Sequence, residues 1–210
     1  VHRLLFDAKI HVKSRYDGLN GIFAKSMHTT PHHTPIILPF EGAVPVIPES
    51  VLVCPGAVVM GDVHIGEQSS VWFNAVIRGD VHSIRIGART NIQDLAMLHV
   101  THKRFSLNIG SNVTVGHSAI LHGCTVHDNV LIGMGAKVLD NSLVRSHTIV
   151  AAGAVVREGF ETPEGVLMAG IPAKVVRDLR ADELSRFEES AQAYVSYAER
   201  FRASNIFHRS

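Results

Sequence analysis

The feature that most constrains this chain is a six-residue period that takes hold at Val53. Aliphatic residues fall at Val53, Val59, Ile65, Val71 and Ile77, then after a nine-residue step at Ile86, Ile92 and Leu98. An eleven-residue step leads to Ile109, Val115 and Leu121, and a five-residue step to Val126. From there Ile132, Val138, Val144, Val150 and Val156 follow six apart. Small residues recur four places after the aliphatic one, at Ala57, Ser69, Ala75, Ala96, Ala119, Ala136 and Ala154. A helix would place apolar side chains three and four apart, so this period excludes one. Each hexad reads instead as a short strand and a turn, with the aliphatic side chain inward and the small one at the corner. Three hexads close a triangular coil of about eighteen residues, and coils stack at the strand spacing of about 4.8 Å. The expected fold class is β, a parallel β-helix with three hexads per coil. Spacing alone leaves its hand open.

The repeat has two flanks of different character. Residues 1–40 show no sustained period, and His-Thr-Thr-Pro-His-His-Thr-Pro (28–35) cannot continue a helix or an inner strand. A poorly ordered N-terminal extension is expected there, with Met27 a candidate start and His32 and His33 solvated. The β-helix domain is placed at 46–178, and Gly-Ile-Pro-Ala-Lys (170–174) breaks the regular coil. Over 180–205, Leu184, Phe187, Ala191, Tyr194, Ala198 and Phe201 are spaced three and four apart. That is a C-terminal amphipathic helix whose stripe packs along a face of the stacked coils.

Composition removes several function classes. Twenty Lys and Arg stand against nineteen Asp and Glu, so the chain lacks the basic excess that nucleic-acid binding needs. No apolar run approaches the ~18–20 residues of a membrane span. Cys54 and Cys124 are 70 residues apart with no CxxC, which fits a reducing cytoplasm rather than a disulfide framework.

Fourteen histidines are too many for count alone to define a site, so position decides. His99 follows Leu98 and His122 follows Leu121, which puts both in the same slot on adjacent coils. Two imidazoles one strand spacing apart can share a metal at nitrogen distances of roughly 2.0–2.1 Å. His117 comes two places after Val115, on a different face, and is expected to lie too far away to join them within one chain. A neighbouring chain rotated by a third of a turn supplies it, which predicts a cyclic homotrimer with three interfacial metals. Three neutral imidazoles and an open position suit a zinc site that lowers the pKa of bound water to about 7. The competing reading is three hydrogen-bonded surface histidines. Near the same slots, Gln93 is expected to orient a hydroxide or a substrate oxygen, with Asn91 beside it. Arg78, paired with Asp80 or Asp94, is expected to fix the subunit interface, ordinary surface ion pairing being the alternative. The step from Leu98 to Ile109 predicts that 102–108 loops out over the metal slot.

The strings Val-Ile-Arg-Gly-Asp (76–80), Thr-Asn-Ile-Gln-Asp (90–94), Leu-His-Val (98–100) and Val-Thr-Val-Gly-His-Ser-Ala-Ile-Leu-His-Gly-Cys (113–124) carry a resemblance. Over about Val46 to Leu179 the chain resembles the gamma-class carbonic anhydrase family of hexapeptide-repeat proteins. The resemblance implies a left-handed parallel β-helix, a homotrimer, and zinc, iron(II) or cobalt(II) held by His99, His117 and His122. It implies an interface role for Arg78 and Asp80, places Gln93 and Asn91 near the metal-bound solvent, and implies reversible hydration of CO2 to bicarbonate by a metal-bound hydroxide. Two departures stand out. Val81 occupies a position where the family's best-studied site has Glu, and Val-Thr-His-Lys (100–103) replaces an acidic proton-shuttle loop. This looks like a shorter-loop bacterial branch. His102 is a candidate replacement for the shuttle because imidazole titrates near neutrality, a solvated loop histidine being the competing reading. The competing functions are a non-catalytic metal-binding or scaffold trimer and an acyltransferase or thioesterase acting on acyl-CoA.

Overall fold

The computed structural model describes residues 34–204, so the expectations for residues 1–33 and for the last residue of 180–205 lie outside the described residues. The hexads form short strands on three faces of a prism. The first face stacks the leading halves of Val58–Ile65 and Val76–Ile86, then Met97–His99, Ile120–His122, Lys137–Val138 and Val155–Val156, all parallel. The second stacks the trailing halves of the two long strands, Leu107–Ile109, Thr125–Val126 and Leu143–Val144. The third runs from Leu52–Val53 through Ser70–Val71, Asn91–Ile92, Thr114–Val115, Leu131–Ile132 and Ile149–Val150 to Val166–Ala169. Lys174–Asp178 then turns back antiparallel and ends that face. This is the parallel β-helix that the period predicts.

The core is the set of inward aliphatic columns. Val59, Ile77, Leu98, Leu121, Val138 and Val156 make one of them, and each is 0% exposed. Burying each such side chain contributes about 1.5–3 kcal/mol, and the columns run the length of the prism. The small residues sit where expected, with Ala57, Ala75, Ala96, Ala119, Ala136 and Ala154 buried at the corners. Corner turns end in left-handed backbone, taken by Asn74, Asn112, Asn129 and Asn141 at φ 58°, 57°, 56° and 54°. Asparagine tolerates this region, whereas an ordinary side chain there costs about 1–2 kcal/mol.

All irregular steps fall at one corner, between the first and second faces. Gly61 pairs with Gly79 and Val63 with Ile84, so three surplus residues bulge out after Gly79. In the next coil Ile77 pairs with Leu98 and Ile84 with Leu107, which leaves only two more. The expected 102–108 loop is therefore shorter than predicted. Its exposed part is His102–Arg104, closed by backbone hydrogen bonds of 3.1 and 3.3 Å between Thr101 and Phe105. Leu107 is already a fully buried strand residue. The surplus has to be counted against the coil beneath, not against a bare hexad.

Two further expectations need adjustment. Ile36–Leu38, inside the stretch expected to be poorly ordered, pairs in parallel with Val58–Met60, and Val46 bridges to His64. These rungs give partners to the backbone groups on the open edge of the first coil. At the other end the helical segment is split into Ala181–Leu184 and Arg186–Ala203. The break at Ser185 leaves Leu184 exposed, and Val195 joins Phe187, Ala191 and Ala198 in the buried stripe. The long helix lies on the third face, where Trp72 meets Tyr194 and Phe201 edge-on at 5.7 and 5.1 Å. Arg177 grips Glu183 with two hydrogen bonds of 2.7 and 2.9 Å just before the long helix begins.

Gly87→Ala is expected to cost about 2–3 kcal/mol, because its Cβ would lie 2.5 Å from the Gly110 carbonyl carbon and 2.6 Å from Ser111 N. Gly135→Ala meets nothing within 4 Å and should lose only about 1–2 kcal/mol through its φ of +66°. Urea unfolding of both variants checks the difference, and equal losses would count against close stacking of the coils. Hydrogen bonds from Arg177 and from the Arg180 backbone pull the Glu183 carboxyl down to about 2. Its contribution is therefore complete above the ordinary carboxylate range and is lost as pH falls from there through about 2. Glu183→Gln should flatten that part of the stability–pH curve, measured by denaturant unfolding between pH 2 and 6.

Candidate metal centre

Parallel register brings the first two candidate ligands together. Leu121 pairs with Leu98 and His122 with His99, so the two imidazoles project from the same corner one coil apart. His99 Nδ1 lies 3.0 Å from His122 Nε2. The opposite nitrogen of each ring meets a carboxylate. His99 Nε2 is 3.0 Å from Asp80 Oδ1, and His122 Nδ1 is 2.6 Å from Asp140 Oδ1. Donation to those carboxylates fixes the tautomers and leaves the two lone pairs facing each other. Facing lone pairs repel unless a cation lies between them.

The carboxylates are themselves held. Asp80 also takes the Arg78 guanidinium, the expected Arg78–Asp80 pair. Asp140 accepts the Thr101 hydroxyl at 2.7 Å. Burial opposes ionisation of both, but hydrogen bonds from His99 and Arg78 on one, and from Thr101 and His122 on the other, keep each carboxyl below the usual range. Burial also pushes His99 below its ordinary value, toward the neutral form that a ligand needs.

His117 belongs to a different corner, between the third and first faces. It is half exposed, and its Nδ1 lies 2.9 Å from Asp94 Oδ2. Asp94 thus serves His117, while Arg78 goes to Asp80. Gln93 sits beneath this corner. Its Oε1 accepts the His117 backbone N–H at 3.2 Å, and its Nε2 donates to Asn91 Oδ1 at 3.1 Å and to the Tyr194 hydroxyl at 2.6 Å. Asn91 is buried and donates to Thr114 Oγ1 at 2.9 Å. Within one chain Gln93 and Asn91 therefore support the His117 corner. His102 is exposed on its turn. Among the described residues, no three His, Cys, Asp or Glu side chains gather into a metal cluster.

Two participants escaped sequence reasoning. Asp140 is the second residue after the inward Val138, on the coil beyond His122, and the hexad count alone could have placed it there. Tyr194 reaches Gln93 across 101 positions, and only the docking of the helix reveals that contact.

Comparisons with known proteins identify the repeat and its relatives. Residues 45–79 match the bacterial transferase hexapeptide family of six repeats. Gamma carbonic anhydrase 1, mitochondrial, of Arabidopsis thaliana is 43% identical over 82% of the chain, which spans 64% of that protein's length. A probable carbonic anhydrase of Methanocaldococcus jannaschii is 44% identical over 73% of the chain and 96% of its own length. Among solved structures, a hexapeptide transferase family protein from Anaplasma phagocytophilum superposes with a TM-score of 0.75 and 35% identity, covering 78% of this chain and 96% of that one.

Tyr194→Phe is expected to cost about 1 kcal/mol, and a double-mutant cycle with Gln93→Ala should show coupling of similar size. Additive losses in chemical denaturation would mean that the 2.6 Å contact contributes nothing.

Proposed function

The chain belongs to the gamma carbonic anhydrase family of hexapeptide-repeat proteins, and from that premise we propose that it hydrates CO2 reversibly at a metal shared between subunits of a homotrimer. The observation that carries this reading is the His99–His122 pair, with nitrogens 3.0 Å apart and an aspartate behind each ring. Metal-bound histidines regularly donate their other N–H to a carboxylate, so the donor set fits a divalent metal such as zinc, iron(II) or cobalt(II). His117 is the third ligand and comes from a neighbouring subunit. Its Asp94 partner leaves Nε2 for coordination, the same division of labour seen in the other two rings.

The outer side of the first face supports this assembly. Val58, Val76, Met97 and Ile120 point outward there as a half-buried apolar strip between the His117 corner and the His99–His122 corner. A trimer packed around that face brings unlike corners of adjacent subunits together.

When bound, the metal supplies the Lewis acidity that makes water a nucleophile near neutral pH. The protein's residues do the rest. Asp80, Asp94 and Asp140 fix ring orientation and tautomer, and Arg78 keeps Asp80 charged. Gln93, whose two Nε2 protons go to Asn91 and Tyr194, sets the height of the His117 backbone through Oε1. Val81 contributes no acid, and His102 on the exposed turn carries protons to bulk buffer.

Stopped-flow CO2 hydration on metal-replete protein tests the reading, and no rate above buffer with zinc, iron(II) or cobalt(II) would overturn it. Asp140→Asn should weaken metal binding by about 10–100-fold. Neither His117→Ala nor His122→Ala alone should retain metal. Trimers mixed from the two variants should regain it, because an intact His99–His122 pair then meets an intact His117. Lack of recovery in trimers shown to be mixed would refute the shared site.

A further inference from the structure

At the corner that carries His117, six successive coils turn through left-handed backbone at Gly56, Asn74, Leu95, Ser118, Gly135 and Gly153, with φ of 76°, 58°, 62°, 58°, 66° and 68°. Glycine and short polar residues accept this region, and a branched aliphatic side chain does not. Leu95 is the only apolar side chain among the described residues with positive φ, and it is 61% exposed. Within one chain it suffers the backbone cost and has little packing to offset it. A strained residue with no return inside its own chain points to a use outside it.

A second observation comes from the same edge. Ser118 N–H bonds the Asp94 carbonyl at 2.9 Å and Gly135 N–H bonds the His117 carbonyl at 2.8 Å, so Leu95, His117 and Met134 come from three successive coils. Met134 is 59% exposed. His117 is thus stacked between Asp94, which holds its Nδ1, and Met134, with Leu95 one residue beyond Asp94 on the coil before.

We propose that Leu95 and Met134, from the coils before and after His117, seat this edge against a second copy of the chain, so that the free nitrogen of His117 is delivered in a fixed pose to that copy's histidine pair. The proposal rests on the shared-metal reading above. It commits to a second copy because the apolar strip of the first face runs on from this edge, and because the His99–His122 pair at the opposite corner needs a ligand that its own chain does not bring. Leu95 and Met134 are positioning residues: they touch no reactant and act by holding His117.

Three variants of the full chain separate the roles. Leu95→Asn removes the apolar contact and relieves the backbone, Leu95→Ala removes the contact only, and Met134→Ala probes the other flank. With zinc present, sedimentation over a range of protein concentrations should show each variant dissociating at concentrations about tenfold or more above the parent. Zinc bound per chain should fall in parallel. In dilute, zinc-free protein, Leu95→Asn should melt at or above the parent temperature. Assembly and zinc content equal to the parent in all three variants would overturn the proposal. A lower melting temperature of dissociated Leu95→Asn would also overturn it, since Leu95 would then be stabilising its own chain. A parent that never forms trimers with zinc would instead remove the shared-metal reading itself.

Discussion

Every feature of the candidate centre depends on the parallel stacking of coils in register. Parallel pairing puts equivalent residues of successive coils directly above one another, so a residue type repeated once per coil becomes a column. The aliphatic columns hold the prism together, and the same repetition sets His122 over His99. No turn or helix has to be positioned separately to bring those two rings together. The inward Leu98 and Leu121, fully buried, fix the pair from beneath.

The electrostatic arrangement follows from the same geometry. Asp80 belongs to the coil before His99, and Asp140 to the coil after His122, so the column reads carboxylate, imidazole, imidazole, carboxylate. Two negative groups outside and two lone pairs inside make a site that favours positive charge at its centre. Arg78 at one end and Thr101 at the other limit how far the carboxylates can swing inward. The His117 corner has its own support in Asp94 and the Gln93–Tyr194 contact, through which the C-terminal helix bears on the site.

Much of this was legible in the sequence because a period of six has one simple structural solution. The three faces, the inward columns and the stacking of His99 on His122 all follow from counting residues. The count failed where the chain departs from the hexad. The 102–108 loop came out too long because the coil below it is itself enlarged. Leu184 has the spacing of the helix stripe, and nothing in that spacing announces the break at Ser185. Gln93 precedes His99 in sequence, yet it follows Ile92 on the third face and serves the other corner. Resemblance supplied the chemistry that spacing does not contain, and the aspartate behind each ring gives that chemistry a physical basis.

The uneven steps share one edge of the prism: six residues from Val59 to Ile65, then nine, eleven, five and six in the coils that follow. The columns at the other two edges keep their hexads while this one swells and shrinks. Length change and core integrity are thereby uncoupled in the architecture. An insertion at that edge alters what overhangs the histidines and what solvent reaches them, while the buried columns register nothing. A solenoid of this kind can be retuned at one rim as a tool bit is changed in a fixed chuck.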